Sequence, residues 1–182
     1  MFHGPLLGRF QGEVQIKNAS RIYDSATSLI IPEKNICEAF LPKGILSRLD
    51  QENEFIREGM RITFKLFKEM NETCRQNNIE FVVTVIPTKE MVFSDFLEHK
   101  PELPLSDVLD KLIANERGAR EKTFKFLSDS NIRYVDPLPA LKGSVDHELY
   151  TRTAADMHPN KNGYRVIAQA ISQSFETGAV AK

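Results

Sequence analysis

The sequence predicts an α/β fold in which a short parallel sheet is flanked by helices. Between residues 47 and 178, helical apolar patterns alternate with two short β-branched runs, and each run ends at a proline. The order is therefore helix, strand, helix, strand, helix. Right-handed crossovers would place the two strands parallel, with the helices on the faces of the sheet. Of the 182 residues, 41% are hydrophobic, which suffices for the core of one domain.

The charge balance excludes several classes of partner. Lys and Arg total 24 and Asp and Glu total 25, so the net charge of −1 gives no electrostatic reason to expect nucleic acid or an anionic membrane surface. No apolar run approaches the roughly 18 residues of a membrane-spanning helix. No signal peptide is recognisable, so the sequence leaves the location unknown. Cys37 and Cys74 are expected to be buried thiols, with a single disulfide as the alternative.

The elements follow in chain order. Residues 1–46 carry many Gly and Pro residues and predict an irregular arm, with weak strand patterns at 12–16 and 26–31. The α/β core is predicted over 47–178. Ser47 is a candidate N-cap, and apolar residues spaced by three and four predict a helix to about residue 77. The nearly continuous apolar run at 79–86 is typical of a parallel strand buried on both faces.

The second half repeats this order. Ser106 begins a helical pattern that runs to about residue 129 and is interrupted at Gly118, which predicts either a broken helix or two abutting ones. A second strand is predicted at 132–136, followed by an irregular connection over 137–157. The last helix begins at Asn162 or Gly163 and ends near residue 178.

The strongest chemical signal lies in the loop before the last helix. Ligands of open parallel sheets bind beyond the carboxyl ends of the strands, and residues 87–90 and 136–158 occupy those positions. Asp156 and His158 are two apart in the second segment. The histidine is a candidate general base, and the carboxylate would fix its tautomer by bonding Nδ1–H. The alternative is that Asp156 is only an anion near the N-terminus of the last helix and that His158 is an exposed loop residue.

Residues 156–164, followed by an amphipathic helix, resemble the last block of the SGNH (GDSL-type) hydrolase superfamily. The strand at 81–86 that runs into residues 87–93, and the strand at 134–138, resemble SGNH-like proteins related to carbohydrate O-acetyl transfer. The resemblance implies a three-layer α/β/α sandwich, and ester hydrolysis or O-acyl transfer on an acylated carbohydrate or a small ester. It also implies that His158 is the catalytic base and Asp156 its orienting carboxylate, with no cofactor and no metal.

The sequence departs from this family in two motifs. It contains neither the Gly-Asp-Ser block that carries the nucleophile nor the Gly-x-Asn-Asp block that supplies an oxyanion donor. Two interpretations follow. In the first, the chain is the carboxyl-terminal part of a longer SGNH protein, so that its own domain is incomplete and inactive alone. In the second, it is a complete but degenerate relative that has lost catalysis. A non-catalytic module that binds a glycan or a protein is the alternative function.

Three weaker signals lead to further predictions. Lys89 and Glu90, directly after the first strand, are candidate substrate-binding residues, and a solvated loop tip is the alternative. His147 could join Asp156 and His158 in a divalent metal site, and a charged surface loop is the more common meaning of such a cluster. An incomplete sheet would expose an edge, which predicts homo-oligomers formed through that edge.

Overall fold

The computed structural model describes residues 26–151 and 156–176, so the strand predicted at residues 12–16 lies outside the described residues. The described chain is mixed α/β, with small sheets and many helices. In order the elements are β1 (Thr27–Ile31), β2 (Ile36–Phe40), α1 (Pro42–Leu46), α2 (Glu54–Gln76), β3 (Val82–Thr84), α3 (Lys89–Val92), α4 (Ser94–Leu97), α5 (Ser106–Asp129), β4 (Arg133–Val135), α6 (Leu138–Lys142) and α7 (Lys161–Glu176).

The first two strands form an antiparallel hairpin that corrects the prediction of an irregular arm for residues 26–46. Thr27 pairs with Phe40 at one end of the hairpin and Ile31 with Ile36 at the other. Asn35 closes the turn in the left-handed region (φ 53°), which Asn tolerates better than most residues. All five residues of β2 are buried, so the hairpin is part of the main core and cannot be a peripheral arm.

The second sheet is the predicted parallel pair. Val82 of β3 pairs with Arg133 of β4, and Thr84 pairs with Val135. Each strand has three residues, fewer than the apolar runs at 79–86 and 132–136 predict. Among the described residues, β3 and β4 pair only with each other, so the sheet has two strands. Self-association through a sheet edge stays a prediction.

The helices follow the predicted order with shifted boundaries. Helix α2 begins at Glu54, since the side chain of Asn53 accepts a hydrogen bond from the N–H of Phe55 at 2.9 Å, and Ser47 instead follows the short helix α1. Helix α5 is continuous through Gly118. Helix α7 begins at Lys161, and the end predicted near residue 178 lies outside the described residues.

Most buried side chains form one core between the hairpin, α5 and the loop that precedes α7. Phe40, Phe93 and Tyr150 meet there, with ring centroids 5.8 and 6.1 Å from Phe93. A smaller cluster beneath the parallel sheet contains Val83 and Leu127. Cys37 and Cys74 are both thiols without a disulfide bond, as predicted, but only Cys37 is buried, whereas Cys74 is half-buried.

Helix α2 lies at the surface, and none of its residues is buried. Its apolar side and β3 line an open groove of about 530 Å³, and Phe55 at one end of it is 87% exposed. None of the helices in the described part of the chain is both long and apolar enough to cross a membrane.

Candidate active site

The loop before α7 brings Asp156 and His158 together. Oδ1 of Asp156 accepts the backbone N–H of His158 at 3.0 Å and lies 3.1 Å from its Nδ1. Because Nδ1 faces the carboxylate, a proton there leaves Nε2 as the ring acceptor. The imidazole is 84% exposed and the carboxylate 49%, so the pair is open to a ligand from solvent.

The electrostatics of the pair favour an ionised aspartate. The backbone N–H of His158 contributes most to holding the pKa of Asp156 below its usual range, and the imidazole bond adds to it. The positive charge of Lys89 acts in the same direction. A carboxylate kept ionised in this way can orient an imidazole and stabilise its charged form.

Asn160 ties the loop to the start of α7. Its Oδ1 accepts the N–H groups of Asn162 at 2.8 Å and Gly163 at 3.2 Å, which makes it the N-cap of the helix. Its Nδ2 donates to the carbonyls of Glu148 at 2.6 Å and Tyr150 at 3.0 Å. One side chain therefore fixes both ends of the segment that contains Asp156 and His158.

Close packing holds the same segment against the chain before it. Tyr150 and Pro159 form an antiparallel bridge, which brings the two ends of the loop together. A Cβ on Gly163 would lie 2.5 Å from the carbonyl oxygen of Leu149 and 2.7 Å from the Cβ of Pro159. Only glycine fits this approach without displacing backbone.

Lys89 lies inside the protein, so the solvated loop tip is wrong for this residue. Its ammonium is 2.5 Å from Oε2 of Glu38 in β2, and both side chains are buried. The rings of Phe40 and Tyr150 flank the ammonium at 5.4 Å each. Burying an ion pair is favourable only with such additional contacts. The role of Lys89 in substrate binding stays a prediction.

Glu90 is also buried, with 0% of its surface exposed. Burial raises its pKa to about 7, and the charge of nearby Glu116 adds to the rise, while backbone N–H groups and Lys89 oppose it. No side chain among the described residues bonds its carboxylate. Substrate binding by Glu90 stays a prediction, and its burial is inconsistent with the alternative of a solvated loop tip.

Glu116 of α5 holds the turn that precedes Lys89. Its two carboxylate oxygens accept the N–H of Thr88, at 2.9 Å, and the Thr88 hydroxyl. Thr88 in turn caps α3 by accepting the N–H of Met91 at 3.2 Å. The sequence patterns did not predict a role for Glu116, Glu38 or Asn160. Only Asn160 carried a local signal, since an asparagine directly before a helical pattern is a common N-cap.

Among the described residues, His99 and His147 do not join this site. Nε2 of His147 is 3.6 Å from Asp146, and Nδ1 of His99 is 3.5 Å from Asp110, both at the surface. Within residues 26–151 and 156–176, no group of three or more His, Cys, Asp or Glu side chains could hold a metal ion. The alternative of a metal site at His147 is therefore wrong for the described residues.

Comparisons with known proteins leave the family open. No family model, no curated protein and no solved structure matches the chain.

Proposed function

We propose that the chain carries the acid–base half of an SGNH-type esterase or O-acyltransferase site. The observation that carries this proposal is the contact of Asp156 with both the backbone N–H and Nδ1 of His158. It leaves Nε2 to solvent, where a nucleophile and a substrate can reach it. No hydrogen bond among the described residues engages that nitrogen.

The chemistry needs a nucleophilic serine, and no serine of the sequence lies in a Gly-Asp-Ser motif. The nucleophile and its oxyanion donors would therefore lie on sequence outside these 182 residues. The serine oxygen would attack the ester carbonyl while Nε2 of His158 takes its proton. The leaving alcohol would then recover that proton as the C–O bond breaks. Water, or an acceptor hydroxyl, would complete hydrolysis or transfer by the same steps.

The fold supports this proposal at a coarser level. The parallel pair β3–β4 is the sheet type that the SGNH sandwich uses, and Lys89, five positions after the last residue of β3, contacts the loop that leads to Asp156. That contact supports a loop position beyond the carboxyl end of β3, where α/β enzymes bind their ligands. The three-layer sandwich and an acylated carbohydrate or small ester as substrate belong to the proposal.

The test is hydrolysis of p-nitrophenyl acetate by the complete gene product. We expect His158→Ala to lower kcat/KM by about 100-fold or more, since it removes the general base. His99→Ala is the matched control, because His99 is also an exposed histidine beside an aspartate. Equal rates for wild type and His158→Ala would contradict the proposal. A wild type with no rate above buffer would favour the non-catalytic binding module.

A further inference from the structure

The ammonium of Lys89 reaches the loop that carries the candidate base. Besides Glu38, it donates to the carbonyl of Ala39 at 3.1 Å and to the carbonyl of Thr151 at 3.3 Å. Thr151 follows Tyr150, the residue at which the loop closes. One buried cation therefore joins β2, α3 and the start of the loop.

Thr151 continues the connection to the catalytic pair. Its hydroxyl donates to the backbone carbonyl of Asp156 at 3.3 Å, and Asp156 holds His158 through two contacts. Lys89 thus fixes the carbonyl of Thr151 from within the core. The Thr151 hydroxyl in turn fixes Asp156, which orients the imidazole. Pro159 restricts His158 to extended backbone at the far end.

We infer that Lys89 is a positioning residue for Asp156 and His158, rather than a residue that touches substrate. The catalytic role of Asp156 and His158 rests on the proposed function, but the contacts that connect Lys89 to them do not depend on any reaction. The ion pair with Glu38 anchors Lys89, and the carbonyl of Thr151 is the contact through which it acts. The buried Lys89 therefore has two roles: it packs in the core, and it holds the loop that carries Asp156 and His158 in place.

The test compares loop order in the complete gene product by NMR, using the solvent exchange rate of the His158 N–H. Lys89→Met should raise that rate about tenfold, the factor expected when one hydrogen-bonded anchor is lost. Arg120→Met is the matched control, since it removes another buried cation, whose partners are Asp136 and the carbonyl of Val85 rather than that of Thr151. It should leave the rate within about twofold. No change in Lys89→Met, or an equal change in both variants, would overturn the inference.

A second pair of variants covers the case in which Lys89→Met does not fold. Thr151→Val removes the hydroxyl that reaches Asp156, whereas Thr151→Ser retains it. We expect faster exchange at His158 in the valine variant and a rate close to wild type in the serine variant. Wild-type exchange in Thr151→Val would overturn the inference. Neither measurement involves an ester, so failure of the proposed function would appear separately, in the p-nitrophenyl acetate assay.

Discussion

The carboxylate of Asp156 contacts His158 twice, at the backbone N–H and at Nδ1. The first contact sets the backbone of a two-residue turn, and the second sets the orientation of the ring. Since the same oxygen makes both contacts, the imidazole cannot rotate freely without losing one of them. The two contacts therefore give the imidazole of His158 a defined orientation, although its side chain is 84% exposed.

The pKa of Asp156 is the first prediction. We expect its carboxyl carbon, followed by NMR, to titrate below the ordinary value of about 3.9, and His158→Ala to raise the pKa by removing the ring contact. A lowered pKa favours the folded state above that range, and the benefit is lost as the pH falls through the lowered value. An ordinary pKa in the wild type would show that the pair does not form in solution.

The buried carboxyl of Glu90 gives the free energy of unfolding a pH dependence opposite to that from Asp156. The folded protein holds its proton more tightly than the unfolded chain, so this contribution is complete below about pH 4.5. It falls by up to about 3 kcal/mol as the pH rises through 7. Urea unfolding at pH 5 and pH 8 measures the difference.

Glu90→Gln should remove most of that difference, because a buried amide does not ionise. Glu116→Gln is the informative comparison. It leaves the Glu90 carboxyl in place and weakens two hydrogen bonds from Thr88, so it should lower the free energy of unfolding at both pH values. An unchanged pH dependence in Glu90→Gln would contradict the burial of that carboxyl.

Gly163 should tolerate no side chain. Gly163→Ala places a Cβ 2.5 Å from the carbonyl oxygen of Leu149, and we expect a loss of about 1–3 kcal/mol of stability from the backbone shift. Gly59→Ala is the matched control within α2, because nothing lies within 4 Å of that Cβ. It should raise stability by up to about 1 kcal/mol. Equal effects of the two substitutions in thermal unfolding would refute the close packing of the loop on α7.

Variants of Asn160 can separate its two roles, which are to cap α7 and to hold the chain before the loop through Glu148 and Tyr150. Asn160→Asp keeps the oxygen that caps α7 but loses the donors to Glu148 and Tyr150, whereas Asn160→Ala loses both. We expect Asn160→Ala to cost about 1–2 kcal/mol for the cap alone, and Asn160→Asp to cost less. Chemical denaturation of the two variants tests this order, and a more stable alanine variant would contradict it.

The features that can be predicted from this sequence are those that local patterns determine. The apolar spacing of α2 and α5, the parallel β3–β4 pair and the proximity of Asp156 to His158 all depend on residues close in the chain or on a general topological rule. Gly118 does not break α5, since a lone glycine weakens a helix by only about 1 kcal/mol and tertiary packing exceeds that cost.

Burial of Lys89 and Glu90 depends on distant partners, which a single sequence does not show. Glu38 lies in a hairpin that the sequence marks only by a weak strand pattern, and Glu116 lies in a helix whose pattern says nothing about Thr88. The same reason explains why residues 26–46 join the core: β2 is buried by elements that follow it much later in the chain.

The most direct test of the central claim is a double-variant cycle on Asp156 and His158, with kcat/KM for p-nitrophenyl acetate measured on the complete gene product. If the two residues act as one unit, His158→Ala lowers kcat/KM by about 100- to 10,000-fold, and adding Asp156→Asn lowers it no further. Losses that multiply in the double variant, or equal kcat/KM values in all four proteins, would contradict the claim that the pair is the acid–base half of the site.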